Sequence, residues 1–177
     1  MPELLNWVTD EERALLVKLA AAVPDNGRIV EIGTLYGATT IFIAKAAPRA
    51  RVVTIDNYSW LPEGPNSPAL VTERLVKAGV SARVDVVMGD SAKIGGVCRD
   101  RADLVFIDGD HSKVGAFTDI YNFSKLTNVM AVHDYGNQQC HPGVKVAVDG
   151  FIKGYPEWRI AERVGMLVVL RKEDADA

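Results

Sequence analysis

Runs rich in Val, Ile and Leu recur along the chain, and between them lie stretches whose apolar residues fall on a helical period. The alternation predicts strands at 28–33, 51–56, 83–88, 102–108 and 128–134, separated by helices at 38–47, 68–79, 91–97, 113–125 and 143–154. A strand reached through a helix runs parallel to its predecessor by a right-handed crossover, so the pattern implies an α/β fold: a parallel sheet with helices on both faces. The end of the chain breaks this rhythm. Trp158-Arg-Ile-Ala-Glu-Arg-Val and Met166-Leu-Val-Val-Leu-Arg are separated only by Gly165, too close to hold a helix, and predict a hairpin that adds an antiparallel strand. Near the start, Thr9-Asp-Glu-Glu reads as a helix cap, with Glu12 closing a capping box ahead of Leu15, Leu16, Leu19, Ala20 and Val23.

In an open α/β sheet, ligands bind beyond the carboxyl ends of the strands. An acid stands at that end of each of the first five strand-like runs: Glu31, Asp56, Asp90, Asp108 and Asp134. A rim of carboxylates favours a cationic or hydroxyl-rich ligand, with or without a metal.

Composition narrows the choices. The 177 residues, 48% hydrophobic, suit a single domain over 1–177 with a short helical segment in the first 25 residues. With 20 basic and 23 acidic side chains and no basic block, nucleic acid is not an expected partner. No apolar run approaches the ~18 residues of a membrane span, and Met1-Pro2-Glu3 opens on an acid; no membrane is expected and the expected location is cytoplasmic. Cys98 and Cys140 lie far apart and read as small buried or loop thiols.

Val30-Glu-Ile-Gly-Thr-Leu-Tyr-Gly passes from strand to helix, with Gly33 and Gly37 letting the backbone approach a ligand beside Thr34. The spacing is not that of a dinucleotide turn, and Glu31 would repel a pyrophosphate. S-adenosylmethionine has no phosphate and carries a sulfonium and an ammonium, which suit an acidic turn. Asp56, followed by Asn57, is placed to accept both ribose hydroxyls, and Asp90-Ser91 to hold the adenine amino group. Taken singly, each has a plain structural alternative: a tight turn or a helix cap.

Val-Glu-Ile-Gly-x-x-x-Gly, Val-Val-Thr-Ile-Asp, Gly-Asp-Ser, Ala-Asp-Leu-Val-Phe-Ile-Asp-Gly-Asp-His and His-Asp-Tyr, in this order over residues 28–170, resemble class I S-adenosylmethionine-dependent methyltransferases. Within them the chain is similar to a small bacterial group with an Asp-Gly-Asp-His motif, related to sugar and antibiotic O-methyltransferases and more distantly to catechol-type enzymes. The resemblance implies a Rossmann-like, seven-stranded, mostly parallel sheet with an antiparallel C-terminal hairpin. It also implies a Mg²⁺ ion held by Asp108 and Asp134, with Asp108 alternatively bonding the methionine amino group. The third ligand of such sites is an Asn directly after the second Asp, where this chain has Tyr135; His133, Asp110 or water is left to complete the shell. The catechol-type base is a Lys three residues after the first Asp, a position held here by His111, whose ordinary pKa near 6.5 suits proton abstraction. His111 reads equally as a residue introducing the helix after Ser112. His133 reads better as a neighbour of a ligand than as a ligand.

Gln138, His141 and Lys145 stand close enough in sequence to touch an acceptor, although Pro142 starting a helix explains that loop as well. Tyr58 and Trp60, in the Pro-rich insert 57–67, read as a site wall, a lid, packing against Trp7, or a dimer contact. The expected activity is O-methylation of a small hydroxylated molecule, with Asp108 and His111 as catalytic residues. A bare catalytic fold implies a shallow pocket or one completed by a second subunit in a homodimer. The rival readings are a metal-dependent hydrolase and a cofactor-binding module without turnover.

Overall fold

The computed structural model describes residues 8–60 and 64–173. Trp7, the centre of the Pro-rich insert and the end of the C-terminal tail lie outside the described residues. The chain forms α1 (Asp10–Ala21), β1 (Arg28–Ile32), α2 (Ala38–Ala46), β2 (Arg51–Asp56), α3 (Pro68–Lys77), β3 (Val84–Met88), α4 (Ser91–Val97), β4 (Leu104–Ile107), α5 (Lys113–Phe123), β5 (Val129–Val132), α6 (Pro142–Gly154), β6 (Trp158–Val164) and β7 (Leu167–Lys172). A 3₁₀ turn at Ser81–Arg83 precedes β3.

The strands form one sheet in the order β3-β2-β1-β4-β5-β7-β6, with β1 to β5 parallel and the last two antiparallel. The hairpin enters the sheet by its second strand: β7 pairs with β5, and β6 takes the edge. Burial explains the choice. Leu167-Val-Val-Leu is fully buried and needs cover on both faces, whereas β6 alternates with exposed Arg159, Glu162 and Arg163 and tolerates an edge.

Side chains alternate across the sheet, so successive β1 residues serve different cores. Ile29 packs with Leu16, Ile43, Leu75 and Phe106 beneath α1 to α3, and Val30 with Val105, Ile120, Phe123 and Phe151 beneath α5 and α6. The strand order reverses between β1 and β4, and the two chains part there as they leave the sheet. Gly33, at φ +93°, makes that switch possible: a Cβ would sit 2.0 Å from the Asp108 carbonyl oxygen.

The capping box of α1 forms as expected. Thr9 accepts from the Glu12 amide, and the Glu12 carboxylate accepts from the Thr9 amide at 2.8 Å. Among the described residues no helix is long and apolar enough to cross a membrane.

Candidate active site

A cavity of about 810 Å³ opens over the carboxyl ends of the parallel strands. One half is lined by the first turn and the ends of β2 and β3. Here Asp56 receives the Leu35 amide on Oδ2 at 2.7 Å and the Tyr58 amide on Oδ1 at 2.6 Å. Both oxygens are therefore fixed, yet each keeps a lone pair for a ligand hydroxyl. Leu35 and Tyr58 have positive φ, the backbone cost of turning two amides onto one carboxylate. Asn57 lines the same wall, its Oδ1 accepting from the Ser59 amide at 2.9 Å. Asp90 caps α4 through the Ala92 amide, and Ser91 Oγ donates to Asp119 Oδ1 at 2.8 Å.

Asp119 was not foreseen. It is buried on α5, lines the cavity, and burial, with Asp110 and Asp90 nearby, pushes its carboxyl up to about 6. A signal existed: Ala116, Asp119, Ile120 and Phe123 fall on one helix face, and an acid within an apolar stripe needs a partner.

Two expected cofactor residues stand off the cavity wall. Gly37, at φ +81°, precedes α2 and helps turn the chain into it. Glu31 lies inside β1 on the face of Ile29, so its side chain points into the layer of α2 and not onto the rim. Its Oε2 accepts from Thr40 at 2.5 Å and Thr54 at 2.6 Å, and Oε1 has no hydrogen-bond partner among the described residues. Burial pushes its carboxyl up to about 8, so near neutrality it is uncharged and exerts no pull on a cation. Thr34 lines the cavity by position, but its hydroxyl bonds Thr54 at 2.6 Å.

The other half of the cavity holds Asp108, His111, His133 and Asp134. His111 Nε2 lies 3.3 Å from Asp108 Oδ1 and 3.2 Å from Asp134 Oδ2. His133 Nδ1 lies 3.3 Å from the same Asp108 oxygen and 3.6 Å from the same Asp134 oxygen, but makes a hydrogen bond to neither. Burial works against charge on all four groups, and their mutual attraction outweighs it. Asp108, between two rings, is held well below the usual carboxylate range. Asp134 is lowered too, with His133 and Asn137 beside it. Burial alone would depress both imidazoles; instead the two carboxylates raise His111 and push His133 up to about 11. Asp134 has φ +59°, and Asn137 Nδ2 bonds its Oδ1 at 2.9 Å.

The left-handed turn at Asp134 sends Tyr135 out of the site. Its hydroxyl donates to Asp149 on α6 at 2.9 Å, with Lys145 3.4 Å away, so neither Tyr135 nor Lys145 reaches the cavity. Gln138 also stands off its wall. His141 does line it, its ring centre 4.2 Å from that of His111. Two groups of potential metal ligands result, each with its atoms within 4.8 Å of one another: Asp108, His133 and Asp134, and His111, Asp134 and His141.

Residues 30–135 match the methyltransferase domain family. The chain belongs to that family. The catechol O-methyltransferase of Mycobacterium tuberculosis (strain ATCC 25618 / H37Rv) is 30% identical over 149 residues, 83% of this chain; the chain spans 58% of that relative's length. Among solved structures, cofactor-bound Rv0187 from MTB is 26% identical with a TM-score of 0.75, over 98% of this chain and 84% of that one. The Bacillus cereus O-methyltransferase in complex with SAH has a TM-score of 0.70 at 22% identity, over 93% of this chain and 82% of that one, and so shares the fold. The matched segment of this methyltransferase domain carries both halves of the cavity from Gly33 to Asp134, and membership displaces the hydrolase reading. Glu12 and His141 lie outside the matched segment.

Proposed function

We propose that this methyltransferase domain transfers the methyl group of S-adenosylmethionine to a hydroxyl oxygen of a small acceptor. One observation carries the reading: a single cavity joins a wall suited to a nucleoside, at Gly33, Asp56, Asn57, Asp90 and Ser91, to an Asp/His cluster suited to hydroxyl chemistry. In the transfer the acceptor oxygen bonds the methyl carbon, the sulfur–carbon bond breaks with its electron pair going to sulfur, and the hydroxyl proton leaves. With its ring in the neutral form, His111 receives that proton on Nε2, and Asp108 and Asp134 on either side stabilise the imidazolium that results. In-line alignment of oxygen, methyl carbon and sulfur supplies much of the remaining acceleration. The names of relatives, a catechol O-methyltransferase and an enzyme solved with SAH, support the same reading.

Asp108 and Asp134 bring carboxylate oxygens to one point, the donors expected of a divalent cation site. A bound Mg²⁺ or similar ion would lower the pKa of the acceptor hydroxyl there.

Calorimetric titration with S-adenosylmethionine and with NAD tests the cofactor: binding of the first and not the second is expected, and the reverse overturns the proposal. Methyl transfer to catechol, to sugars and to other hydroxylated molecules tests the reaction, and cofactor binding with no turnover on any of them returns the chain to a binding module. His111→Ala should lose roughly 10²- to 10⁴-fold in rate at pH 7, the usual contribution of a general base. An unchanged rate removes His111 from that role.

A further inference from the structure

We propose that His133 Nδ1, Asp108 and Asp134 form one face of a coordination shell for a first-row transition ion, Mn²⁺ to Zn²⁺, in preference to Mg²⁺, and that Glu12 aims the His133 ring at it. The inference rests on the reading above for the place of the ion and goes beyond it in the donor set and the metal.

The ring is built in like a ligand. His133 is 4% exposed, and its Nδ1 is a buried nitrogen without a hydrogen-bond partner among the described residues. It faces Asp108 Oδ1 at 3.3 Å and Asp134 Oδ2 at 3.6 Å, so without an ion a ring proton balances the two carboxylates, and a bound cation would take that proton's place. The three donor atoms lie within 4.8 Å of one another. Behind the ring, Nε2 lies 3.4 Å from Glu12 Oε2. A metal-bound histidine commonly gives its other ring N–H to a carboxylate, which fixes tautomer and orientation.

Glu12 can do this because it cannot move. It is 1% exposed, its Oε2 accepts the Thr9 amide of the capping box, and its Oε1 accepts the Met166 amide of the β6–β7 turn at 2.6 Å. A Cβ at Gly165 would lie 2.5 Å from Oε1, so the hairpin turn closes directly on the carboxylate. Two elements distant in sequence thus clamp one acid behind one imidazole. Mg²⁺ prefers an all-oxygen shell, whereas an imidazole in place of an oxygen favours transition ions. Tyr135, at the position where the resemblance implies an oxygen donor, bonds Asp149 instead. His111 Nε2 lies 3.3 Å from the same Asp108 oxygen and 3.2 Å from the same Asp134 oxygen; the proposed shell excludes it and leaves it to the acceptor proton.

The test uses the full chain stripped with chelator, titrated calorimetrically with Mg²⁺, Mn²⁺, Co²⁺ and Zn²⁺. Co²⁺ should bind at least about tenfold more tightly than Mg²⁺. His133→Asn should abolish that preference while leaving Mg²⁺ affinity little changed. Glu12→Gln should weaken Co²⁺ by roughly 10- to 100-fold, the usual effect of losing the carboxylate behind a ligand. His141→Ala, which removes a donor of the second group, should keep the preference for Co²⁺ over Mg²⁺. Equal affinity for Mg²⁺ and Co²⁺, Co²⁺ preference surviving in His133→Asn, or its loss in His141→Ala overturns the proposal. Should a variant fail to fold, pulsed EPR of the Mn²⁺-loaded wild type decides: coupling to one imidazole nitrogen supports the shell, and coupling to none or two refutes it. S-adenosylmethionine titrated into the same samples separates the two ideas. Its binding alongside a failed metal preference sinks only this inference; its failure to bind where Co²⁺ binds as expected sinks only the methyl-transfer reading.

Discussion

Glu31→Gln should flatten much of the pH dependence of this domain's stability. The Glu31 carboxyl is fully buried between Thr40 and Thr54, and burial raises it from the ordinary 4.5 to about 8. The unfolded chain releases this proton near pH 4.5, and the folded chain keeps it to about pH 8. Between those values the folded state binds more protons, so stability falls as pH rises, and the fall ends above about pH 8. A difference of about 3.5 in pKa, at about 1.4 kcal/mol for each, sets the full effect at about 5 kcal/mol. That is a large share of the roughly 5–15 kcal/mol typical of a whole domain.

Glutamine keeps an acceptor for both threonines and carries no titrating proton. Its amide nitrogen replaces Oε1, which has no partner, and adds a cost that is the same at every pH and cancels in the comparison. Urea unfolding of cofactor-free wild type and variant at pH 5 and pH 8.5 gives the difference in stability at each. The variant should gain on wild type by several kcal/mol between the two, up to about 5. A difference constant to within about 1 kcal/mol would show that Glu31 is already ionised in the folded chain, and the argument for a neutral acid inside β1 would fail.

Other substitutions separate the parts of the site. Gly33→Ala should destabilise the domain by at least about 1–3 kcal/mol and abolish S-adenosylmethionine binding, because the new Cβ meets the Asp108 backbone and φ +93° is strained; calorimetry and urea unfolding check both, and retained binding contradicts the close approach. Asp56→Asn loses one of two accepted amide bonds and should weaken S-adenosylmethionine by about 1–3 kcal/mol, roughly 5- to 150-fold, in calorimetry. Tyr135→Phe removes a bond to Asp149 and should cost about 1 kcal/mol of stability with Co²⁺ affinity and methyl-transfer rate unchanged; lost metal affinity would return Tyr135 to the shell.

Much of the fold could be read from the chain because each strand carries its own signal. The β5-to-β7 pairing is the informative exception: a hairpin was legible, but which strand enters the sheet depends on burial on two faces, and only the unbroken Leu167-Val-Val-Leu hinted at it. On the rim, Asp108 and Asp134 follow the last residues of β4 and β5, where the chain turns over the crevice. Glu31 looked like their equal by order in sequence. It precedes Ile32, the last residue of β1, and one residue within a strand decides the face a side chain takes.

The metal side was least legible, for two different reasons. Position 135 follows Asp134 directly, and linear spacing suggests a shared site; φ +59° at Asp134 turns the next side chain toward α6, a backbone feature that no residue type at 134 or 135 announces. Glu12 was concealed by an adequate local explanation. As the last member of a capping box it already had a role, so nothing in the sequence asked for another. Yet of its carboxylate contacts only the Thr9 amide is local; the Met166 amide and His133 Nε2 come from residues more than a hundred positions away. A cap of ordinary kind sits in solvent, and an acid 1% exposed does not fit that description. Burial of the cap is thus what distinguishes this helix start from an ordinary one, and it sets the first helix, outside the matched family segment, directly behind the His133 ring on the cavity wall.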